Sequence, residues 1–390
     1  MSGFVFPNEG VIEWDLLIVI YPYITGLVAG AFIVSSLYHV FGMTKLRPVA
    51  RFSLVSALAF LLVTPLPLVL HLGRQERGLE MFLTPNFTSA MSAFGYIWFF
   101  YLLLVLGEIW LVFRPDIIRY YGSSEGVKKT IYSVLALGVH DLSEESVAID
   151  KKLIRALAFL GVPIAFLLHG YVGFIFGAVK ANPWWSTPLM PIIFLMSATV
   201  SGIALLVVLY VIVCRIRHVS LDQDCLHALT LLLMGFLAVN VVLEGLEVFT
   251  MLYESEESWE IVSQLITQQI GLSYFGIQFM MGAVIPLFLL GSIEILKLGA
   301  PEKTFLRFLA ASLVLIGVFA MRWNVVIGGQ LMSKSLRGFT SYTPPFLGLS
   351  GILVAIVLMA LPFIILAVIN YLLPPWQDEV KPPERKSLHF

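Results

Sequence analysis

Nine apolar runs, separated by short polar segments, dominate the chain: 14–41, 52–70, 91–113, 153–176, 189–214, 226–252, 271–296, 305–328 and 346–373. A bilayer core takes roughly 20 apolar residues in helical form, because backbone groups in lipid must be satisfied within the segment itself. Each run therefore predicts a transmembrane helix, and the expected fold class is all-α integral membrane. The first run follows an acidic start (Glu9, Glu13, Asp15) with no basic flank and no small-residue cleavage site. It is expected to remain as a helix rather than to be removed as a signal.

Composition agrees: 59% of residues are hydrophobic and 13% charged, about half the charged share of a soluble domain. A net charge of -1 gives no electrostatic footprint for nucleic acid. Position matters more than sum. Of the 24 Lys and Arg, 18 fall in one alternate set of loops and ends, which includes Lys45, Arg114, Arg215, Lys297 and Lys381. Basic loops stay in the cytoplasm, so the N-terminus is expected outside and the C-terminus inside, in keeping with an odd number of spans. The long inner loop, 114–152, contains an amphipathic stretch at 127–139 that suits the membrane surface. The charged, Pro-rich tail after Pro374 is expected to be mobile. Residues 1–180 read as a first four-helix bundle with an outer site, 181–335 as a second bundle, and 336–390 as a ninth helix and tail. Pro65, Pro67, Pro163, Pro191 and Pro286 are expected to kink helices. Trp14, Trp98, Trp184, Trp185, Trp259 and Trp376 suit interfacial belts.

Polar residues within spans are costly, which makes them functional candidates. Asp15, Tyr21 and Tyr23 fall toward the outer end of the first helix, His71 at the outer end of the second, and His169 and Tyr171 in the outer half of the fourth. The adjoining outer loop adds Arg74, Glu76, Arg77, Glu80 and Asn86. A second set, Glu244, Glu247 and Arg322, lies in the second bundle, where a buried Arg322–glutamate pair is expected. Glu108, Glu294 and His39 lie near the inner interface and receive no role.

The outer set suits proton-coupled redox of a lipid-soluble quinone, which needs an apolar entrance, donors to its carbonyls and a group that exchanges protons near neutral pH. His71 and His169 fit the last need, and Arg74 or Arg77 would hold negative charge. The bland reading is that an Arg or His at a helix end snorkels to headgroups or caps the helix. Other functions compete. His71 with His169, and His39 with His227, would be axial pairs for a haem-b quinol oxidoreductase anchor. Glu244, Glu247 and Arg322 would bind the cargo of a secondary transporter. A purely structural anchor is the remaining reading. The two cysteines, Cys214 and Cys225, leave no four-thiolate iron–sulfur site, and no haem-attachment motif is present. On the quinone reading the chain is expected to hold neither haem nor cluster, and no metal.

Several segments resemble the NrfD/PsrC family, the membrane subunits of polysulfide reductase and related respiratory complexes. His71-Leu72-Gly73-Arg74-Gln75-Glu76-Arg77 is similar to the family's LGRPER-type loop, and Pro85-Asn86-Phe87-Thr88-Ser89-Ala90-Met91 to the turn that follows it. His169-Gly170-Tyr171-Val172-Gly173-Phe174, Pro183-Trp184, the Pro191 to Gly202 segment and the Met321 to Gln330 segment (MRWNVVIGGQ) match later helices. Gln75 stands where the family usually has Pro, and His71 where it commonly has Asp. The resemblance implies a quinone, menaquinone by preference, bound by the first bundle near the outer face. His71, His169 and Arg74 would act on it, with Tyr21, Tyr23, Tyr171, Asn86 and Arg77 in binding roles. It also implies a ferredoxin-like iron–sulfur subunit and further redox subunits as partners, and the cytoplasmic membrane of a bacterium or archaeon. Proton translocation coupled to the electron transfer would need polar steps such as His39, Ser36, Ser35 or Thr64.

Overall fold

The computed structural model describes residues 2–4, 6, 11–254 and 258–376. Glu9 and the tail beyond Trp376, with Lys381, Arg385 and Lys386, lie outside the described residues. Among those described, nine helices are long and apolar enough to cross a membrane: α1 (Leu16–His39), α2 (Thr44–His71), α3 (Ala90–Ser123), α4 (Glu144–Gly177), α5 (Met190–Ile216), α6 (Gln223–Tyr253), α7 (Leu272–Ile295), α8 (Ala300–Leu331) and α9 (Ile352–Leu372). The protein is an all-α, multi-pass membrane protein.

Local chemistry sets the starts. Asp15 caps α1 by accepting from the Leu17 amide at 2.9 Å, and Ser89 and Ser143 cap α3 and α4 in the same way. α3 and α4 each run for 34 residues, about 51 Å by helical rise, well past the ends of their apolar runs. The excess lies at the face where the basic loops gather. There Arg114 clamps the pair of helices, donating to Asp150 at 2.7 Å, Ser146 at 2.8 Å and the Asp141 carbonyl at 3.1 Å. Arg51 of α2 pairs with Asp116 of α3 and lies over the Phe113 ring at 4.1 Å. The amphipathic stretch forms a short helix, Gly126–Leu135, docked on α3 through Trp110 and on α9 through Tyr132.

α1 is the centre of the molecule. Every residue from Leu16 to Ser36 is buried, as a helix that is apolar all round requires. It packs on α2, α4, α5 and α8. Against α5 the backbones nearly touch, because a Cβ on Gly30 would sit 2.7 Å from the Gly202 Cα. α7 and α8 meet the same way at Gly282 and Gly317. Gly173 and Gly177 bring the end of α4 onto the start of α5, where a Cβ on Gly173 would lie 2.7 Å from the Met190 carbonyl oxygen. α9 packs on α2 and leaves most of its surface outward.

α2 breaks at Thr64 and Pro65, and Pro191 sits in the first turn of α5, where the missing N–H costs nothing, whereas Pro163 lies within α4 and Pro286 within α7, just past the point where its π-helical part passes into α-helix. α7 is π-helical over Leu272–Val284, and α8 over Asn324–Gly328. Opposite the basic face, β1 (Ser2–Phe4) pairs antiparallel with β2 (Arg337–Phe339). Gly3 has φ +73°, and a Cβ there would collide with the Arg337 carbonyl, so this crossing needs glycine.

The Gly282–Gly317 contact supplies a test. Gly317→Val should force α7 and α8 apart at a cost of about 1–3 kcal/mol and lower the thermal midpoint in detergent. Gly291→Ala, at an α7 position open for 4 Å around, should leave the midpoint unchanged.

Candidate functional site

Opposite the basic face, the ends of α1 and α2 are joined by Asp15 and His71, whose Oδ2 and Nδ1 are 3.4 Å apart. Six residues further along α1, Tyr21 is buried and packs edge-on against Phe94 of α3, ring centroids 4.9 Å apart. Its hydroxyl has no hydrogen-bond partner among the described residues. Tyr171 of α4 is half-buried and lies within electrostatic reach of that hydroxyl. His71, Tyr21 and Tyr171 therefore occupy neighbouring elements at one end of the α1–α4 group. Tyr23 does not join them. Two residues on from Tyr21, it points away, donates to the Leu315 carbonyl of α8 at 3.2 Å and packs edge-on to Phe319.

The loop residues face outward. Arg74 is exposed, with no hydrogen bond or ion pair among the described residues. The Arg77 Nε donates to both Glu80 carboxylate oxygens at 2.9 Å, and this guanidinium holds the exposed Glu80 carboxyl below its usual range. The Asn86 side chain is committed to its own turn, accepting from the Thr88 amide at 3.0 Å and hydroxyl at 2.7 Å.

His169 is fully buried and deeper, about 12 Å by helical rise from the end of α4. Arg322 of α8 meets it there. This is the largest fully buried side chain among the described residues. Its guanidinium donates to His169 Nε2 at 3.1 Å, Ser197 Oγ at 2.6 Å, the Phe194 carbonyl at 3.4 Å and the Met321 sulfur at 3.1 Å, and it stacks 4.0 Å above the Phe194 ring. Arginine only donates, so Nε2 must accept and Nδ1 carries the imidazole proton. Nδ1 is buried and has no partner among the described residues. The ring edge abuts Gly26 of α1.

The expected Arg322–glutamate pair is not a direct contact: no such ion pair forms among the described residues. Glu244 instead accepts from Asn240 at 2.8 Å and from Gln278 of α7 at 2.9 Å. Gln278 in turn accepts from Asn324 of α8 at 2.8 Å, and Asn324 from Ser273 at 2.6 Å. α7 supplies the intervening amide, so neutral groups bridge from α6 to α8 where an ion pair was expected. The carboxyls of Glu244 and Glu247 line a cavity of about 20 Å³, room for one water molecule. Trp184 and Trp185 are also corrected. Rather than forming a belt, both are buried and donate to the Asn324 and Val325 carbonyls of the π turn at 3.0 and 2.6 Å.

Of the four histidines offered for axial pairing, three are engaged by other side chains: His71 by Asp15, His169 by Arg322, and His227 by Arg307 and Glu294 at 3.0 and 3.3 Å, while the buried Nε2 of His39 has no hydrogen-bond partner among the described residues. With Nε2 already accepting from a guanidinium, His169 has no lone pair free for iron. The residues that sequence reasoning missed are Ser197, Gln278 and Asn324. Each is a lone amide or hydroxyl in an apolar run, a signal readily taken for ordinary helix packing.

Comparison with known proteins adds to this geometry. The family model described as polysulphide reductase, NrfD, matches residues 6–334. The C subunit of the selenate reductase of Mesobacillus selenatarsenatis is 30% identical over 322 residues, which span 81% of this chain and 73% of that protein. Protein NrfD of Escherichia coli is 27% identical over 223 residues, 55% of this chain and 64% of that one. The Hdr-like menaquinol oxidoreductase integral membrane subunit of Archaeoglobus fulgidus is 25% identical over 354 residues, 85% and 78% of the two chains. A match along most of the chain, together with nine spans and relatives that serve as membrane subunits of reductases, makes this protein a member of the NrfD family and the multi-pass membrane subunit of a redox complex.

Proposed function

We propose that this subunit exchanges electrons between a membrane quinone and a ferredoxin-like iron–sulfur subunit docked on the face opposite the basic one. The observation that carries the reading is the Tyr21 hydroxyl, buried without a hydrogen-bond partner among the described residues beside Tyr171, with the Asp15–His71 pair at the adjoining helix ends. A buried hydroxyl with no acceptor is costly in a finished structure, and a quinone carbonyl would satisfy it. The outward surfaces of α3 and α4 are apolar, with Phe99, Phe100 and Phe174 exposed, which suits lateral entry from lipid. The Archaeoglobus fulgidus relative is named for a menaquinol oxidoreductase, and menaquinone is the quinone this reading favours.

A quinone takes up electrons and protons in equal number when reduced and returns both when oxidised. Tyr21 would orient a carbonyl, and His71, held by Asp15, would pass a proton at Nδ1 or Nε2. His169, whose Nδ1 proton is free while Arg322 holds Nε2, would supply a second donor from below. Arg74, Arg77, Lys334 and Arg337, all exposed opposite the basic face, would meet an acidic partner surface. The basic face would lie in the cytoplasm, with the N-terminus outside, in a bacterial or archaeal cytoplasmic membrane.

Two outcomes test this. Tyr21→Phe keeps the ring against Phe94 and removes the hydroxyl. Quinone-linked turnover of the assembled complex should drop by about tenfold or more, and a wild-type rate would refute the site. Arg74→Ala should slow electron transfer from the partner while quinone binding, measured by competition with a quinone analogue, is unchanged. Its deficit should shrink as salt is raised.

A further inference from the structure

The Tyr21 site is closed on every side. Tyr21 and Phe94 are both buried and the Tyr21 hydroxyl is covered, so a quinone headgroup reaches it only if one of the walls moves. Two walls are tightly packed helices. α1 is buried all round, and α3 lies so close to α4 that a Cβ on Gly161 would sit 3.0 Å from Leu104 Cδ2. The third wall is of another kind. Beyond the bend of α2 at Thr64 and Pro65, residues 78–89 form a strap across the seam between the end of α2 and the start of α3, and none of them is buried.

The strap is held at few points. On the α2 side, a Cβ on Gly78 would lie 3.8 Å from Val69 Cγ1. On the α3 side, Met81 fills the notch that Gly95 leaves, its terminal methyl taking the place where a Cβ would stand. The adjacent Tyr96 hydroxyl donates to the Met81 carbonyl at 2.9 Å and accepts from the Asn86 amide at 3.1 Å. Phe82 packs on Tyr96 and Phe99, ring centroids 6.1 and 5.5 Å apart, and Phe87 on Tyr96 at 5.5 Å. Phe94, next to the notch, is the residue that packs against Tyr21. Met81 therefore sits one residue along α3 from the wall of the site itself.

We propose that residues 78–89 are the gate through which membrane quinone enters and leaves, with Met81 as its plug and Tyr96 as its latch. The inference rests on the quinone reading of Tyr21. A segment with few buried contacts opens at low cost, whereas parting α3 from α4 would break close packing. Release of the two Tyr96 hydrogen bonds lets Met81 leave Gly95, and a slot lined by Phe82, Tyr96 and Phe99 then opens from lipid toward Phe94 and Tyr21. An unbranched, flexible thioether suits a plug that must leave and return. Tyr96 is a positioning residue here, since it touches the strap and not the reacting carbonyl.

The test uses the assembled complex carrying Phe82→Cys and Phe99→Cys together, joined by a short thiol cross-linker that reductant cleaves. Cys214 and Cys225 are buried, and each single-cysteine variant treated in the same way is the control. Cross-linking should slow association and dissociation of a quinone analogue, and quinone-linked turnover, at least about tenfold, and cleavage should restore the starting rates in the same sample. Tyr96→Phe keeps the ring contacts and loses both hydrogen bonds, so dissociation of the analogue should quicken about threefold or more. Rates that cross-linking leaves unchanged would overturn the gate, and a turnover defect in Tyr21→Phe would then show that the quinone site stands without it. Unchanged or slower dissociation in Tyr96→Phe would overturn the latch. A wild-type complex that neither binds nor turns over quinone would instead overturn the quinone reading, and this inference with it.

Discussion

A guanidinium sealed within a membrane protein has to be answered by its neighbours, and in this chain that demand organises the middle of the molecule. Arg322 of α8 reaches across to His169 of α4 and Ser197 of α5 and stacks on Phe194, while His169 abuts α1 at Gly26. Four helices from both halves of the chain are thereby tied at one depth. Removing any one partner would leave charge or donors unsatisfied in a low-dielectric interior, where such groups cost most. The near-contact of α1 and α5 at Gly30 and Gly202 lies one turn away on each helix. Packing and polarity thus fix the same junction.

The same demand separates polar groups that complete the fold from those left over. Glu244, Gln278, Asn324 and Ser273 satisfy one another in a chain across α6, α7 and α8. The π segments of α7 and α8 present these amides, and the indoles of Trp184 and Trp185 take up two carbonyls of the α8 π turn. π turns commonly mark functional positions, but here their side chains are largely spent on each other. Tyr21, Tyr101, Glu108 and the Nδ1 side of His169 are not. They keep hydrogen-bonding capacity in the α1–α4 group, and that unspent capacity gives the functional reading its physical content.

The loop 72–89 and the segment 332–340 form the end of the molecule on which a partner would sit. Exposed Leu72, Leu79, Leu83 and Phe87 share the first of these segments with exposed Arg74, and the β1–β2 pairing holds the N-terminal segment against the second. The proposed quinone reading needs such an end, since electrons tunnel only over short distances and a carrier in lipid would have to approach the partner's redox centre.

How much was legible follows from what each property depends on. The spans, their number and the segregation of Lys and Arg are one-dimensional: twenty apolar residues must form a helix in lipid whatever surrounds them, and loop charge sets a side without reference to packing. Candidate polar residues could be named for the same reason, because a charge within an apolar run is visible anywhere. Their facing was not visible. α1 is buried all round, so its sequence has no polar face to betray which side meets which helix. Only the assembled helices send Tyr21 toward Phe94 and Tyr23 toward Phe319, give Arg322 to His169 instead of Glu244, and turn Trp184 and Trp185 inward. In an interior where nearly every surface is equally greasy, the azimuth of a helix and the identity of its neighbours are decided by close contacts between distant residues, at glycines such as Gly30 and Gly202, and the order of residues along the chain does not encode them locally.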